Sequence, residues 1–362
     1  MTHTPAFPPL DHLKHLLDST GIAQHAVYAV VAREHGYCVD DNARGLILAA
    51  TLSRLGLEPA FAQELHARTA AFLQHAWNDD CGLFRNFMSY DRRWLEEAGS
   101  EDSHGRAVWA LGVVARDNAR ADIRRWAREL LERAAPALAG FTSPRALAFG
   151  LLGIAASHEA AEQPGLSDLR ERLAARLCGH LRDSRASGWV WFEASLSYDN
   201  ARLPQALLAA GELEAGLATL SWLCREQTAE GGHFRPIGSN GFWRRGGPRA
   251  RFDQQPVEAA ATVAACVLAA RQTGDARWLA EAARAHAWFH GDNDLGRPVA
   301  VAATGGCRDG LHPDRVNANQ GAESTLAWLQ AELDMADGES AMAGAFTPPV
   351  HLKVGLAARP EF

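Results

Sequence analysis

Two kinds of hydrophobic pattern alternate along the chain. In RADIRRWARELLERAAP, Ile123, Trp126, Ala127, Leu130 and Leu131 recur at i, i+3, i+4, i+7 and i+8 with charge between them. That spacing predicts a helix with one buried stripe and one wet face. LSDLRERLAARLCGHL repeats it through Leu169, Leu173, Leu177 and Leu181, and DARWLAEAARAHAWFH and EPAFAQELHARTAAFLQHAW follow the same rule. The second kind is apolar nearly all round: ARGLILAATLSRL, GRAVWALGVVAR, PRALAFGLLGIAA, VEAAATVAACVLAARQ. A helix apolar on every side must be surrounded by protein, and its small residues let neighbours approach closely.

In chain order, wet-faced helices are expected to begin near Pro9, Pro59, Arg120, Leu166, Glu212 and Asp275. Buried helices are expected near Asp41, Ser103, Ser143, Asn200, Gln255 and Gln320. The two kinds interleave, and no sustained strand alternation appears outside the connections. A repeated wet–buried pair predicts a closed ring, an all-α (α/α)6 toroid, rather than an open solenoid with polar end repeats. The toroid is expected to fill residues 1–345, with 346–362 a C-terminal tail.

Connections from a buried helix to the next wet one are short, as in GLEP, RDNA and TGD. Those leading into buried helices are long: NDDCGLFRNFMSYDRRWLEEAGSED, RASGWVWFEASLSYD, TAEGGHFRPIGSNGFWRRGGPRARFD, GDNDLGRPVAVAATGGCRDGLHPDRVNANQ. Long ordered loops in a compact domain are usually functional. All of them open on one face of the predicted ring, and polar residues gather there at the helix starts: Asp40, Asp41, Asn42; Glu101, Asp102, His104; Thr142, Ser143; Asp199, Asn200; Asp253, Gln254, Glu258; Asn319, Gln320, Glu323. Capping accounts for part of this, as with Ser143 before Pro144. One cap per helix suffices, however, and DDNAR and EDSHGR exceed it. Glu258 lies further in, beside alanines, where a carboxylate needs a partner or a raised pKa. The face therefore reads as a polar pocket. Phe84, Phe87, Trp94, Trp189, Trp191, Phe192, Phe234, Phe242 and Trp243 in the loops suit sugar stacking, although some of these rings serve only to pin loops.

Composition narrows the function classes. The 362 residues are 47% hydrophobic, enough for a large core, and the net charge of −7 comes from well-mixed acids and bases. No basic stripe suggests nucleic acid, and no apolar run reaches the roughly 18 residues of a membrane span. The N-terminal stretch lacks the pattern of a secretory leader. Cys38, Cys81, Cys178, Cys224, Cys266 and Cys307 show no CxxC spacing, so free thiols in a cytoplasmic protein are expected, with Cys38 and Cys307 packing residues. No phosphate-cradling glycine loop is present, no metal site is legible from ligand spacing, and no cofactor is expected.

GYCVDDNARGLILA, FDQQPVEAAATVAAC and TGGCRDGLHPDRVNANQGAESTLAWL resemble a family of bacterial (α/α)6 proteins, over about Thr20 to Leu333. Members occur alone or as the C-terminal part of chains named glycosyltransferases. The resemblance implies a six-hairpin glycosidase-like toroid with carbohydrate chemistry, and the nucleotide-sugar domain of the fused chains is missing here.

The leading expectation is a glycoside hydrolase, or a phosphorylase of like geometry, using paired carboxylates. The catalytic candidates are Asp41 and Asp102, then Asp199, Asp253 and Glu258, with Glu258 best suited to stay protonated. Arg44, Arg308, His312 and Arg315 are candidate substrate contacts, joined by Asp40, Asn42, His104, Trp191, His233, Trp243, Gln254 and Glu323. The alternatives are a sugar epimerase or isomerase using His104, His233 or His312 as acid and base, and a non-catalytic carbohydrate-binding partner of a separate glycosyltransferase.

Overall fold

The structure, a computed structural model, describes residues 7–157 and 163–342. Among them are twelve α-helices. The nearly all-apolar segments form α2 (Val39–Leu55), α4 (Glu101–Asp117), α6 (Pro144–Ala156), α8 (Arg202–Ala210), α10 (Pro256–Thr273) and α12 (Ala322–Met342). Between them run α1 (Asp11–Leu16), α3 (Pro59–Ala76), α5 (Ala121–Ala134), α7 (Pro164–Ser184), α9 (Leu213–Glu226) and α11 (Arg277–Ala287). Each even-numbered helix packs on the next, and α12 packs back on α2, so the inner ring closes. The toroid read from the pattern is the fold. The segment 346–362, read as a tail, lies outside the described residues.

Close approach of the inner helices depends on glycine. α4 meets α6 at Gly112 and Gly153, where a methyl group on Gly112 would fall 1.9 Å from the Gly153 carbonyl oxygen. Only a residue without Cβ permits that spacing. The outer helices α5 and α11 bury one stripe through Ala127, Leu130 and Leu131, and through Trp278, Ala282 and Ala285.

The long connections are stitched to one another by two-residue antiparallel pairings. Residues 37–38 pair with 87–88, and 195–196 pair with 243–244, each linking two successive connections. Gln254 bridges Leu311, and the Gln320 amide donates to the Tyr28 carbonyl, which extends the stitching towards the first connection. The connections thus form a collar on the N-terminal face of the inner ring. Among the described residues no helix is long and apolar enough to cross a membrane. All six cysteines are free; Cys38 and Cys307 are buried, and burial raises both thiols well above their ordinary pKa.

Candidate functional site

The helix starts explain why the acids at the collar are not caps. The N-cap of α2 is Cys38, whose sulfur accepts from the Asp41 amide at 3.4 Å. Ser100 caps α4 and Ser143 caps α6, the latter with Pro144 in the first turn as expected. No side chain caps α8 or α10. Asp253, a possible cap by sequence, instead adopts φ +55° and accepts from the Ser239 hydroxyl. Asp40, Asp41, Asp102, Asp199 and Glu258 are therefore free for other partners.

Those partners form a charged layer across the ring, to which all six inner helices or their immediate approaches contribute. Arg44 reaches Asp41 Oδ1 at 3.1 Å and Glu323 Oε2 at 2.6 Å. Arg106 donates from Nε to Asp40 at 3.0 Å and from Nη2 to Asp199 at 2.8 Å. Arg202 Nε lies 3.4 Å from the other Asp199 oxygen. Arg145 donates to Glu193 at 2.6 Å and to Asn200 Oδ1 at 3.4 Å. Asn200 Nδ2 donates to Glu258 at 2.9 Å. Asp102 accepts from the Ser143 hydroxyl at 2.7 Å and from the Tyr198 hydroxyl. Asp199 is held at φ +49°, a conformation Asp tolerates better than most residues.

Buried charge is costly unless paired, and the pairing here is uneven. Burial pushes Asp41 up to about 6 against the opposing pull of Arg44. Burial, reinforced by the charge of Asp199, pushes Glu258 up to about 7, and its Oε1 has no hydrogen-bond partner. Burial would also raise Asp199, but Arg106, Arg202 and Arg44 together hold it below the usual carboxylate range. Burial lowers Arg202, with Asp199 opposing; a guanidinium that starts above 12 stays charged, so the pair is ionic. The layer thus combines carboxyls that titrate near neutrality with one kept ionised, an arrangement suited to acid–base work.

The layer has two sides. Asp40, Asp102, Glu193, Tyr198 and Glu323 retain exposure on the collar side. Among them Tyr198 brings an exposed aromatic ring, its hydroxyl on Asp102 and its face under Arg145. Below the layer the ring encloses a cavity of about 720 Å³. Arg44 and the buried Arg106 and Arg202 roof it, while Arg54, Arg271 and Gln272 are exposed at its other end. This volume lies on the C-terminal side of the carboxylates, opposite the collar. Asp334, from α12, lines it and is pushed by burial up to about 6.

Several expected site residues stand outside the layer. Asn42 is buried away from the axis, donating to the Cys38 carbonyl and accepting from the Ile22 amide. His104 is wedged among Phe84, Phe141 and Trp77, with Nε2 3.0 Å from the Ala134 carbonyl, and burial lowers it to about 4. Trp191 is fully buried against Phe192 and Trp222. Trp243 stacks over Trp222 and under Arg249, pinning its loop. His233 and Gln254 both bind Asp294, as do Arg235 and Arg251, in a loop-fastening cluster. Arg308 donates to the Pro298 carbonyl, Arg315 is exposed beside Asp314, and His312 Nδ1 is 3.7 Å from Asp253. Trp243, Arg308 and the group around Asp294 fasten the collar, whereas Arg315 is exposed. Conversely, the sequence reading passed over Arg106, Arg145, Arg202, Glu193 and Tyr198. A signal was present: an arginine within the first two turns of otherwise apolar helices, at 44, 106, 145 and 202, with DNAR at 41–44 and 199–202, although the same four residues also occur at 117–120, outside the layer.

No family model matches the chain, and no curated protein matches it. Solved structures do. A cellobiose 2-epimerase from Spirochaeta thermophila superposes with TM-score 0.69 at 15% identity, over 93% of this chain and 94% of that one. A D-mannose isomerase gives TM-score 0.65 at 12% identity, over 90% and 95%. A GH76 α-mannanase from Bacteroides thetaiotaomicron gives TM-score 0.62 at 12% identity, over 91% and 94%. The six-hairpin (α/α)6 fold expected from the resemblance is thereby shown. No narrower family follows from these likenesses.

Proposed function

We propose that the chain is a sugar-processing enzyme whose acid–base chemistry is carried by carboxyl groups of the axial layer, with epimerisation or isomerisation ahead of glycoside hydrolysis. The observation that carries the reading is the convergence of Asp41 and Glu258, raised to about 6 and 7, with the ionised Asp199. Proton transfer next to a sugar carbonyl needs groups that exchange protons near neutral pH. Of the three candidate histidines, His104 and His233 are committed to structural partners and His312 stands 3.7 Å from Asp253, so the axial carboxyls are the preferred acid–base groups. The order of preference departs from the sequence expectation because the epimerase and the isomerase superpose with TM-scores of 0.69 and 0.65, above the 0.62 of the mannanase. Hydrolysis by the same carboxyls is the second reading, supported by the mannanase likeness. The sugar meets the layer from the collar side, where Asp40, Asp102 and Glu323 are accessible beside the Tyr198 ring.

A panel of reducing mono- and disaccharides and oligosaccharides, incubated in D2O with and without phosphate and read by NMR, tests this. Deuterium uptake at C2 without fragmentation supports epimerisation or isomerisation, and released fragments support cleavage. Tight calorimetric binding with no product makes the toroid a carbohydrate-binding partner and overturns the enzymatic reading. Asp41→Asn and Glu258→Gln, both folded, should lower turnover by about 10²–10⁴-fold; full activity in both rejects the assignment.

A further inference from the structure

On the side of α12 turned away from the cavity, three metal-ligating side chains converge. Gln330 and Asp334 face the cavity, whereas Trp328 and Glu332 face the outer wall. There His286, in the last turn of α11, and His290, closing the 3-10 turn 288–290, both aim Nε2 at Glu332. The distances to the same oxygen, Oε1, are 2.9 Å from His286 and 3.2 Å from His290. One ligand atom from each of the three residues lies within 4.8 Å of the others.

His286 Nε2 is buried and has no hydrogen-bond partner of acceptable geometry, despite its closeness to the carboxylate. His286 and His290 thus crowd one carboxylate oxygen without a well-aligned hydrogen bond from His286, and an ion held between the three groups would satisfy all of them. We propose that His286, His290 and Glu332 form a binding site for a divalent transition metal, with zinc the best chemical match. Imidazole and carboxylate ligands about 2.0–2.2 Å from a tetrahedral zinc stand about 3.4 Å apart, near the 3.2 Å from His290 Nε2 to Glu332 Oε1, and His286, at 2.9 Å, has to move outward to make room for the ion. Trp328 Nε1 donates to Glu332 Oε1 at 2.7 Å and orients the carboxylate, the kind of supporting contact that metal ligands use. His290 is 46% exposed, so water can complete the coordination. The metal ties the end of α11 to α12, next to the seam where the ring closes. In sequence the site is invisible, because Glu332 lies 42 residues beyond His290.

The test is titration of chelator-treated protein with zinc, followed by calorimetry and thermal melting, and with cobalt, followed by its visible absorption. The expected result is one equivalent bound per chain, a raised Tm, and the intense cobalt bands of a tetrahedral site. His286→Ala, His290→Gln and Glu332→Gln should each weaken binding by about tenfold or more. His290 is partly exposed, so its variant keeps the fold even where the others do not. Failure of the wild-type chain to bind a stoichiometric ion, or equal binding by a folded His290→Gln, overturns the proposal.

Discussion

At Glu258 one carboxylate oxygen accepts Asn200 Nδ2 at 2.9 Å while the other is buried without a partner. Burial raises the group from 4.5 to about 7. Between those values the folded chain keeps a proton that the unfolded chain releases. The contribution of Glu258 to stability therefore falls as pH rises through that window, and levels off above it. Glu258→Gln removes this dependence and keeps an acceptor for Asn200. The variant should be more stable than the parent at pH 8, by up to about 3 kcal/mol, and converge with it near pH 4.5. Urea unfolding at the two pH values checks this; an equal difference at both would mean that Glu258 does not titrate in the window. A stabilised but inactive variant is the signature of a site residue kept at a cost to stability.

At the scale of the helix, the same glycine substitution should act with opposite sign in an inner and an outer element. Alanine ordinarily stabilises a helix by about 1 kcal/mol relative to glycine. Gly179, in α7, has only the tip of Arg182 near its missing methyl, at 3.7 Å, so Gly179→Ala should stabilise by up to about that amount. At Gly112 the methyl meets backbone of α6 at 1.9 Å, and nothing flexible can yield. Gly112→Ala should destabilise by about 2–3 kcal/mol or more. Thermal melts of the two variants make the comparison, and a neutral Gly112→Ala would show that α4 and α6 can separate freely. The apolar period told inner helices from outer ones, and observed starts fall close to expectation, as at Glu101 for Ser103 and Ala322 for Gln320. The period did not tell which polar residue of a turn faces the axis. Asp41 and Asn42 are neighbours in sequence, yet Asp41 pairs with Arg44 in the layer and Asn42 turns outward to Ile22.

For the whole molecule, α12 is the closing element. It packs on α10 and α2, buries Trp328, Leu329 and Leu333, and carries Glu323 to Arg44. Asp337 adds ion pairs to Arg54 at 3.2 Å and Arg271 at 2.6 Å, which are partly exposed and contribute little on their own. Closure therefore rests mainly on apolar burial. A chain ending at Asn319 should lose cooperative thermal unfolding and self-associate, because the inner faces of α2 and α10 would meet water. A monomeric, cooperatively melting product by size exclusion and circular dichroism would show instead that the open arc is stable.

The sequence by itself determined the class of fold, the order of wet and buried helices, and the face on which the acids gather, because these follow from the period of apolar residues and the lengths of connections. Tertiary structure decided the rest. Successive helical residues differ by about 100° in direction, so which acids meet which arginines depends on how each helix is rotated within the ring. It also decided that His104 and Trp191 serve the core, that Arg106, Arg145 and Arg202 complete the charged layer, and that the enclosed volume lies beneath that layer. Each outcome depends on contacts between segments far apart in the chain, and no local pattern encodes them.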